Sequence, residues 1–320
     1  MNEGNLFFLL RAWLWLRRKA RPTDVQWNLA MAVVVGVMGA GLGLLFKQAT
    51  LVLQKMLTGG AGAGLAAFAQ LPPWQRVAIP TVGGLLAGLT LMLGEKFVRQ
   101  RPTEYMEAIT LGDGRLPVKS SLYRSLAAML SIASGTAIGK EGPLVQLSAL
   151  AASVLGQVRK LPPARRRLLL ACGAAAGVAA AYNAPIAAAL FVSEITVGSL
   201  AMESLGPLIF ASVASIVTVH IFSDASPLYR LEHFALPHWT ELVCFCVVGI
   251  ACGLMAALFL AMLEQFKKWF RKVTIPLAGK LALGGLLVGL IALAHPEVTG
   301  NGYDVLKSLL HGETVLRPGE

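Results

Sequence analysis

The chain has 320 residues, of which 56% are hydrophobic and only 14% charged, with a mean hydropathy of +0.65. Soluble globular domains carry about 25% charged and about 45–50% apolar residues, so a water-soluble fold is excluded. The formal net charge of +11 is gathered in patches: Arg11, Arg17, Arg18, Lys19 and Arg21 near the start, and Arg159, Lys160, Arg165, Arg166 and Arg167 later. With apolar segments on either side, these patches read as cytoplasmic loops under the positive-inside rule, and no nucleic-acid partner is expected.

In chain order, residues 1–21 come first. Their apolar run is broken by Arg11 and followed, not preceded, by the basic cluster. A signal peptide has the opposite order, so an interfacial cytoplasmic helix is expected. Residues 27–57 form an apolar segment about 46 Å long as a helix, well beyond the roughly 30 Å hydrocarbon core, so it must tilt. A second span covers about 74–98. Residues 102–117 are too short to span and read as a re-entrant piece. Segments 119–138 and 143–158 follow, then a basic loop over 159–167. Residues 168–181 are almost entirely Ala, Gly and Leu and predict a tightly packed interior helix, which Asn183-Ala184-Pro185 ends. Two further helices cover 185–198 and 204–222.

The pattern then restarts. Gly-Gly-Leu-Leu-Ala-Gly-Leu at 83–89 recurs as Gly-Gly-Leu-Leu-Val-Gly-Leu at 284–290, the long first span recurs over 239–268, and Tyr105 has a counterpart in Tyr303. The expected domains are the 1–21 helix, a first membrane repeat over 22–230, and the start of a second over 231–320. By the same offset a complete second copy would end at roughly residue 430, so the second repeat is expected to be truncated. Cys172, Cys244, Cys246 and Cys252 lie in apolar segments and are expected to be buried small hydrophobes. The five histidines offer no pair with metal spacing, and neither a metal nor a cofactor is expected.

The most informative chemistry is in Gly139-Lys140-Glu141-Gly142-Pro143. An ionisable group between two apolar segments marks function. Pro143 suits the first turn of a helix. Free N–H donors and the positive dipole end at that helix start make an anion site. Glu141 can occupy this site itself, or swing away when protonated or displaced by an anion. It would then act as gate and proton carrier together. The bland alternative is a helix-capping Glu without a role in transport.

This run resembles the Gly-Lys/Arg-Glu-Gly-Pro signature of the CLC family of chloride channels and chloride/proton exchangers. The resemblance extends through Gly173–Gly177, Tyr182-Asn183-Ala184-Pro185-Ile186-Ala187, Leu190-Phe191-Val192-Ser193-Glu194 and Gly300-Asn301-Gly302-Tyr303. It is nearest to the bacterial ClcB-type branch of voltage-gated chloride channels. It implies an all-α polytopic membrane protein with an inverted-repeat fold of tilted and re-entrant helices. It also implies chloride as the transported ligand, the external gate at Glu141, and a homodimer through helices near 185–222 in the bacterial inner membrane. The basic clusters put the N-terminus on the cytoplasmic side.

Two departures bear on mechanism. The family's Gly-Ser-Gly-Ile-Pro filter motif is replaced by Arg99-Gln100-Arg101-Pro102-Thr103-Glu104, leaving Thr103 and Tyr105 as candidates for the inner anion path. The family's internal proton-transfer glutamate falls on Ile195, which cannot titrate, with Glu194 about 100° away around an α-helix. A gated channel is therefore the leading expectation. The alternative is a chloride/proton antiporter using Glu141 and an atypical internal route through Glu194. More remote are a membrane-embedded enzyme, for which no nucleophile–base pair is visible, and a cation transporter of the inverted-repeat plan, which would need more carboxylates.

Overall fold

The computed structural model describes residues 24–60, 64–98, 102–197, 202–223 and 240–310. The helix expected over 1–21, the first basic cluster, His233, His238 and His311 lie outside them. Every regular element among the described residues is helical. In chain order these are α1 (Asp24–Leu57), α2 (Leu65–Ala69), α3 (Pro73–Phe97), α4 (Tyr105–Thr110), α5 (Val118–Ala133), α6 (Glu141–Val158), α7 (Pro163–Tyr182), α8 (Pro185–Val192), a π-helical turn (Ser193–Val197), α9 (Met202–Phe222), α10 (Glu241–Lys272), α11 (Leu277–Ala294), a 3-10 turn (Pro296–Val298) and α12 (Tyr303–Leu310).

Proline sets several starts. Pro73, Pro163 and Pro185 each occupy the first turn of a helix, where the missing N–H would have had no partner. Asn183 ends α7 in the left-handed region with φ 56°, a conformation Asn tolerates better than other non-glycine residues. Among the described residues, five helices, α1, α3, α9, α10 and α11, are long and apolar enough to cross a membrane. At 34 residues, α1 is about 51 Å long and exceeds the roughly 30 Å core.

The chain divides into two compact units, neither continuous in sequence. The first comprises the described residues of 1–47, 100–122 and 141–225, the second those of 48–99, 123–140 and 226–320.

In the first unit, α6 and α7 pack antiparallel through small residues. Gly173 faces Ala152 and Ala149, and Gly177 faces Val145, so the two backbones nearly touch. Ser148 Oγ donates to the Gly173 carbonyl at 2.6 Å, and Ser215 Oγ of α9 donates to the Ala176 carbonyl at 2.8 Å. Gly36 and Gly39 of α1 close onto Ala211 and Ser148.

The sequence reading of a basic loop over 159–167 needs correction. Pro163 already begins α7, so Arg165–Arg167 ride on its first turn. Arg166 is buried, at 5% exposure. Its Nε donates to the Asp113 carbonyl at 2.7 Å, its guanidinium pairs with Asp113 Oδ2 at 2.9 Å, and it also reaches the Leu161 carbonyl. Ser153 Oγ accepts from Leu116 N–H and donates to the Gly114 carbonyl, so the 113–116 loop is tied to both α6 and α7. Arg166→Met keeps the volume of the stem and removes these bonds. It is expected to lower stability by about 1.5–3 kcal/mol, the scale of a hydrogen bond to a charged group. A wild-type melting temperature in detergent would show that the loop is held otherwise.

In the second unit, the recurring Gly-Gly-Leu-Leu-x-Gly-Leu segments meet each other. Gly84 and Gly88 of α3 lie against Leu281 and Ala278 of α11, while Gly285 and Gly289 of α11 lie against Pro80 and Val77 of α3. Each contact maps onto another when 201 is added, since 84 + 201 = 285, 88 + 201 = 289, 80 + 201 = 281 and 77 + 201 = 278. A contact that repeats under exchange of its partners is what a two-fold axis produces. The repeat is therefore visible both in the sequence and in how its copies pack. By contrast, α10 is exposed along almost all of its described length, and Cys244, Cys246 and Cys252 are exposed with it. Only Cys172 is buried, which corrects the expectation for the other three. An apolar residue on a membrane helix need not be covered by its own chain, because lipid is as apolar as leucine.

Candidate functional site

Of the run Gly139–Pro143, Gly139 and Lys140 belong to the second unit and Glu141 to Pro143 to the first. Glu141 is the first residue of the 18-residue α6, and Pro143 sits in the same first turn. Glu141 is half-buried and Gly142 exposed, and a Cβ at Gly142 would meet nothing within 4 Å. Immediately inward the helix is buried at Leu144, Val145 and every residue from 147 to 153. The carboxylate thus stands at the mouth of a buried helix. There the first N–H groups lack intrahelical partners and the dipole is positive.

On the second unit's side, residues 134–140 form a braced loop. Ser134 Oγ and Thr136 Oγ1 both donate to the Ser131 carbonyl, at 2.8 and 2.6 Å. Gly135 takes φ 84°, and a side chain there would meet the Phe68 ring. Its carbonyl accepts from Gly300 N–H at 3.0 Å. Two residues past Asn301, the Tyr303 ring lies 5.4 Å below Lys140 Nζ, a cation–π contact. Asp304 Oδ2 accepts from Leu65 N–H at 3.2 Å. The Gly300–Tyr303 motif is thereby pinned to the loop that carries Lys140. Sequence spacing did not reveal this pairing, because the two segments are about 160 residues apart.

Within the first unit, α4 packs against α6, α7 and the π-helical turn. This brings the elements bearing Thr103, Tyr105, Glu194 and Ile195 into one neighbourhood. Thr103 and Tyr105 are half-buried, and Glu194 and Ile195 are exposed. The 100° step assumed between Glu194 and Ile195 needs adjustment. Both lie in the π-helical turn, whose i→i+5 bonding widens the helix and reduces the rotation per residue.

A further residue at this place was not singled out from sequence. Gln146 of α6 accepts at Oε1 from Tyr105 N–H (3.2 Å), and its Nε2 donates to the Thr103 carbonyl (3.3 Å) and to Ser121 Oγ (3.1 Å). A signal for it existed: a primary amide in an otherwise apolar segment is costly at membrane depth unless it is engaged.

The fold and these elements define a class: a helical membrane protein with an internal repeat and a carboxylate at the start of a buried helix. Residues 83–318 match the family profile described as "Voltage gated chloride channel". The ClcB-like protein of Ralstonia nicotianae is 43% identical over 289 residues, covering 88% of this chain and 67% of its own. The voltage-gated ClC-type chloride channel ClcB of Escherichia coli is 38% identical over 294 residues, covering 90% and 70%. The crystal structure of a slow cyanobacterial Cl−/H+ antiporter superposes with a TM-score of 0.73 at 25% identity, covering 91% of this chain and 68% of that one. A CLC-type fluoride/proton antiporter gives 0.73 at 20% identity, a likeness of fold. The chain belongs to the voltage-gated chloride channel family.

Proposed function

We propose that the protein carries chloride or a similar anion across a bacterial inner membrane, as a gated channel with Glu141 as its gate. The observation that carries this reading is the position of Glu141. It is the first residue of α6 and lies in the signature run of a chain that matches the family over 83–318. An anion attracted to the α6 start competes there with the Glu141 carboxylate. Protonation of Glu141 favours the anion. Lys140, next to Glu141 in the sequence, adds positive charge beside it.

Ile195 supports the channel mode, because no titratable group stands at the position where exchangers hold their inner proton. The relatives of Escherichia coli and Citrobacter koseri are named as voltage-gated channels. A second reading, a chloride/proton antiporter, is favoured by the likeness to the cyanobacterial antiporter and would route protons through Glu194. The family is one of channels and transporters, and no chemical step is assigned.

The remaining features support assembly and orientation. Ile186, Phe191, Phe210, Val217 and Ile221 present apolar side chains outward on α8 and α9, which suits a homodimer through helices near 185–222. The basic clusters at 11–21 and 159–167 suit an N-terminus on the cytoplasmic side. The repeat division at 22–230 and 231–320 remains our reading of the chain's internal duplication.

Reversal potentials under opposed chloride and pH gradients test the mode. The expected result is a shift of about 59 mV per tenfold chloride ratio, with no response to pH. A reversal potential that moves with the proton gradient would replace the channel with the antiporter.

A further inference from the structure

We infer that Gln146 is a positioning residue for anion selectivity: its side-chain amide fixes the Thr103–Tyr105 backbone against α5 and α6. The inference rests on the reading of that segment as part of the anion path. In this chain the segment offers no serine of the family's filter motif, since Arg99-Gln100-Arg101-Pro102-Thr103-Glu104 stands there. With that serine missing, how firmly the Thr103–Tyr105 backbone is held bears on discrimination.

The amide is matched to its surroundings group by group. Tyr105 N–H can only donate, and it meets Oε1. The Thr103 carbonyl can only accept, and it meets Nε2, whose other hydrogen goes to Ser121 Oγ. Rotating the amide by half a turn would set N–H against N–H and C=O against C=O, so one orientation is fixed. Ser121 is itself 1% exposed, which leaves its hydroxyl little room to follow a loosened partner. Three elements are thus joined by one side chain: the 103–105 segment of the path, α5 through Ser121, and α6.

Gln146 lies five residues past Glu141 on the same helix, about 7.5 Å along the axis. The candidate filter segment therefore moves with the helix that bears the gate. A lining held this way cannot relax around a larger anion, whereas a free segment can.

The test compares chloride and nitrate efflux from proteoliposomes containing the full-length protein. Gln146→Met removes all three hydrogen bonds at similar side-chain length and without adding charge. We expect the chloride-to-nitrate ratio to fall about fivefold, equivalent to about 1 kcal/mol at tenfold per 1.4 kcal/mol. Chloride flux should persist, with its pH response intact. Ser121→Ala removes one bond only and should shift the ratio in the same direction by less. It decides the matter if Gln146→Met does not fold. A merely structural role would lower melting temperature and total flux and leave the ratio unchanged. An unchanged ratio in the folded variants overturns the inference while leaving anion transport standing. Wild-type protein that passes neither anion overturns the transport reading, and the inference with it.

Discussion

Glu141→Ala protein is expected to pass anions at or above the wild-type rate and to lose the pH response of that flux. The expectation follows from two functions placed on one side chain. As a carboxylate at the first residue of α6, Glu141 would compete with the permeant anion for the positive start of that helix. On the proposed gate reading it blocks when ionised and yields when protonated. A charge-assisted hydrogen bond contributes about 1.5–3 kcal/mol, so removing the competitor raises the open fraction by at most about tenfold to a hundredfold where the wild type is mostly shut. Alanine leaves nothing to titrate. Glu141→Gln keeps the shape of the protonated side chain and should resemble alanine in its pH response, with a smaller rise in flux. A Cβ at Gly142 would meet nothing within 4 Å, so the turn beside Glu141 is uncrowded. Flux from proteoliposomes across a series of external pH values measures both effects. Folded Glu141→Ala protein with no anion flux would remove Glu141 from the gate role.

How much of this was readable in the chain depends on the range of the interaction concerned. The repeat was readable because Gly83–Leu89 and Gly284–Leu290 are nearly the same words, and the structure packs the one against the other. The start of α6 was readable because Pro143 marks a first turn and Glu141 stands out in an apolar run. Arg166 was misread as part of a solvated loop. Its burial depends on Asp113, 53 residues earlier, and on the length of α7, which begins at Pro163 and not after the arginines. Charge alone does not distinguish a solvated arginine from one inserted into a polar niche. Gln146 carried a signal in its polarity but none about its partners, since Thr103 and Ser121 are 43 and 25 residues away. The cysteines of α10 were placed inside because apolar context usually means burial. In a membrane chain that inference fails, because an apolar helix can be exposed to lipid along its whole length.

The same reasoning about range yields a large structural effect. Gly177→Ala adds one methyl group, but its Cβ would lie 2.8 Å from the Val145 Cα, 3.0 Å from Ser148 Cβ and 3.2 Å from the Leu144 carbonyl oxygen. Two of these three neighbours are backbone, so no rotamer change relieves the contact and α6 must move away from α7. Overpacking of this kind costs about 1–3 kcal/mol. Here it also stretches the Ser148 bond to Gly173 and disturbs the Ala176 carbonyl that receives Ser215. Because α6 begins with Glu141, the proposed gate moves with the helix. The expected result is a lower melting temperature in detergent, a reduced yield of monodisperse protein, and altered gating in what survives. Gly142→Ala, in the facing helix α6, is the matched control. Its Cβ meets nothing within 4 Å, and alanine is favoured over glycine in a helix by about 1 kcal/mol. It should melt at or above the wild-type temperature. Equal melting of Gly177→Ala and wild type would mean that α6 and α7 do not approach as closely as their glycines imply, and the seating of Glu141 would need another explanation.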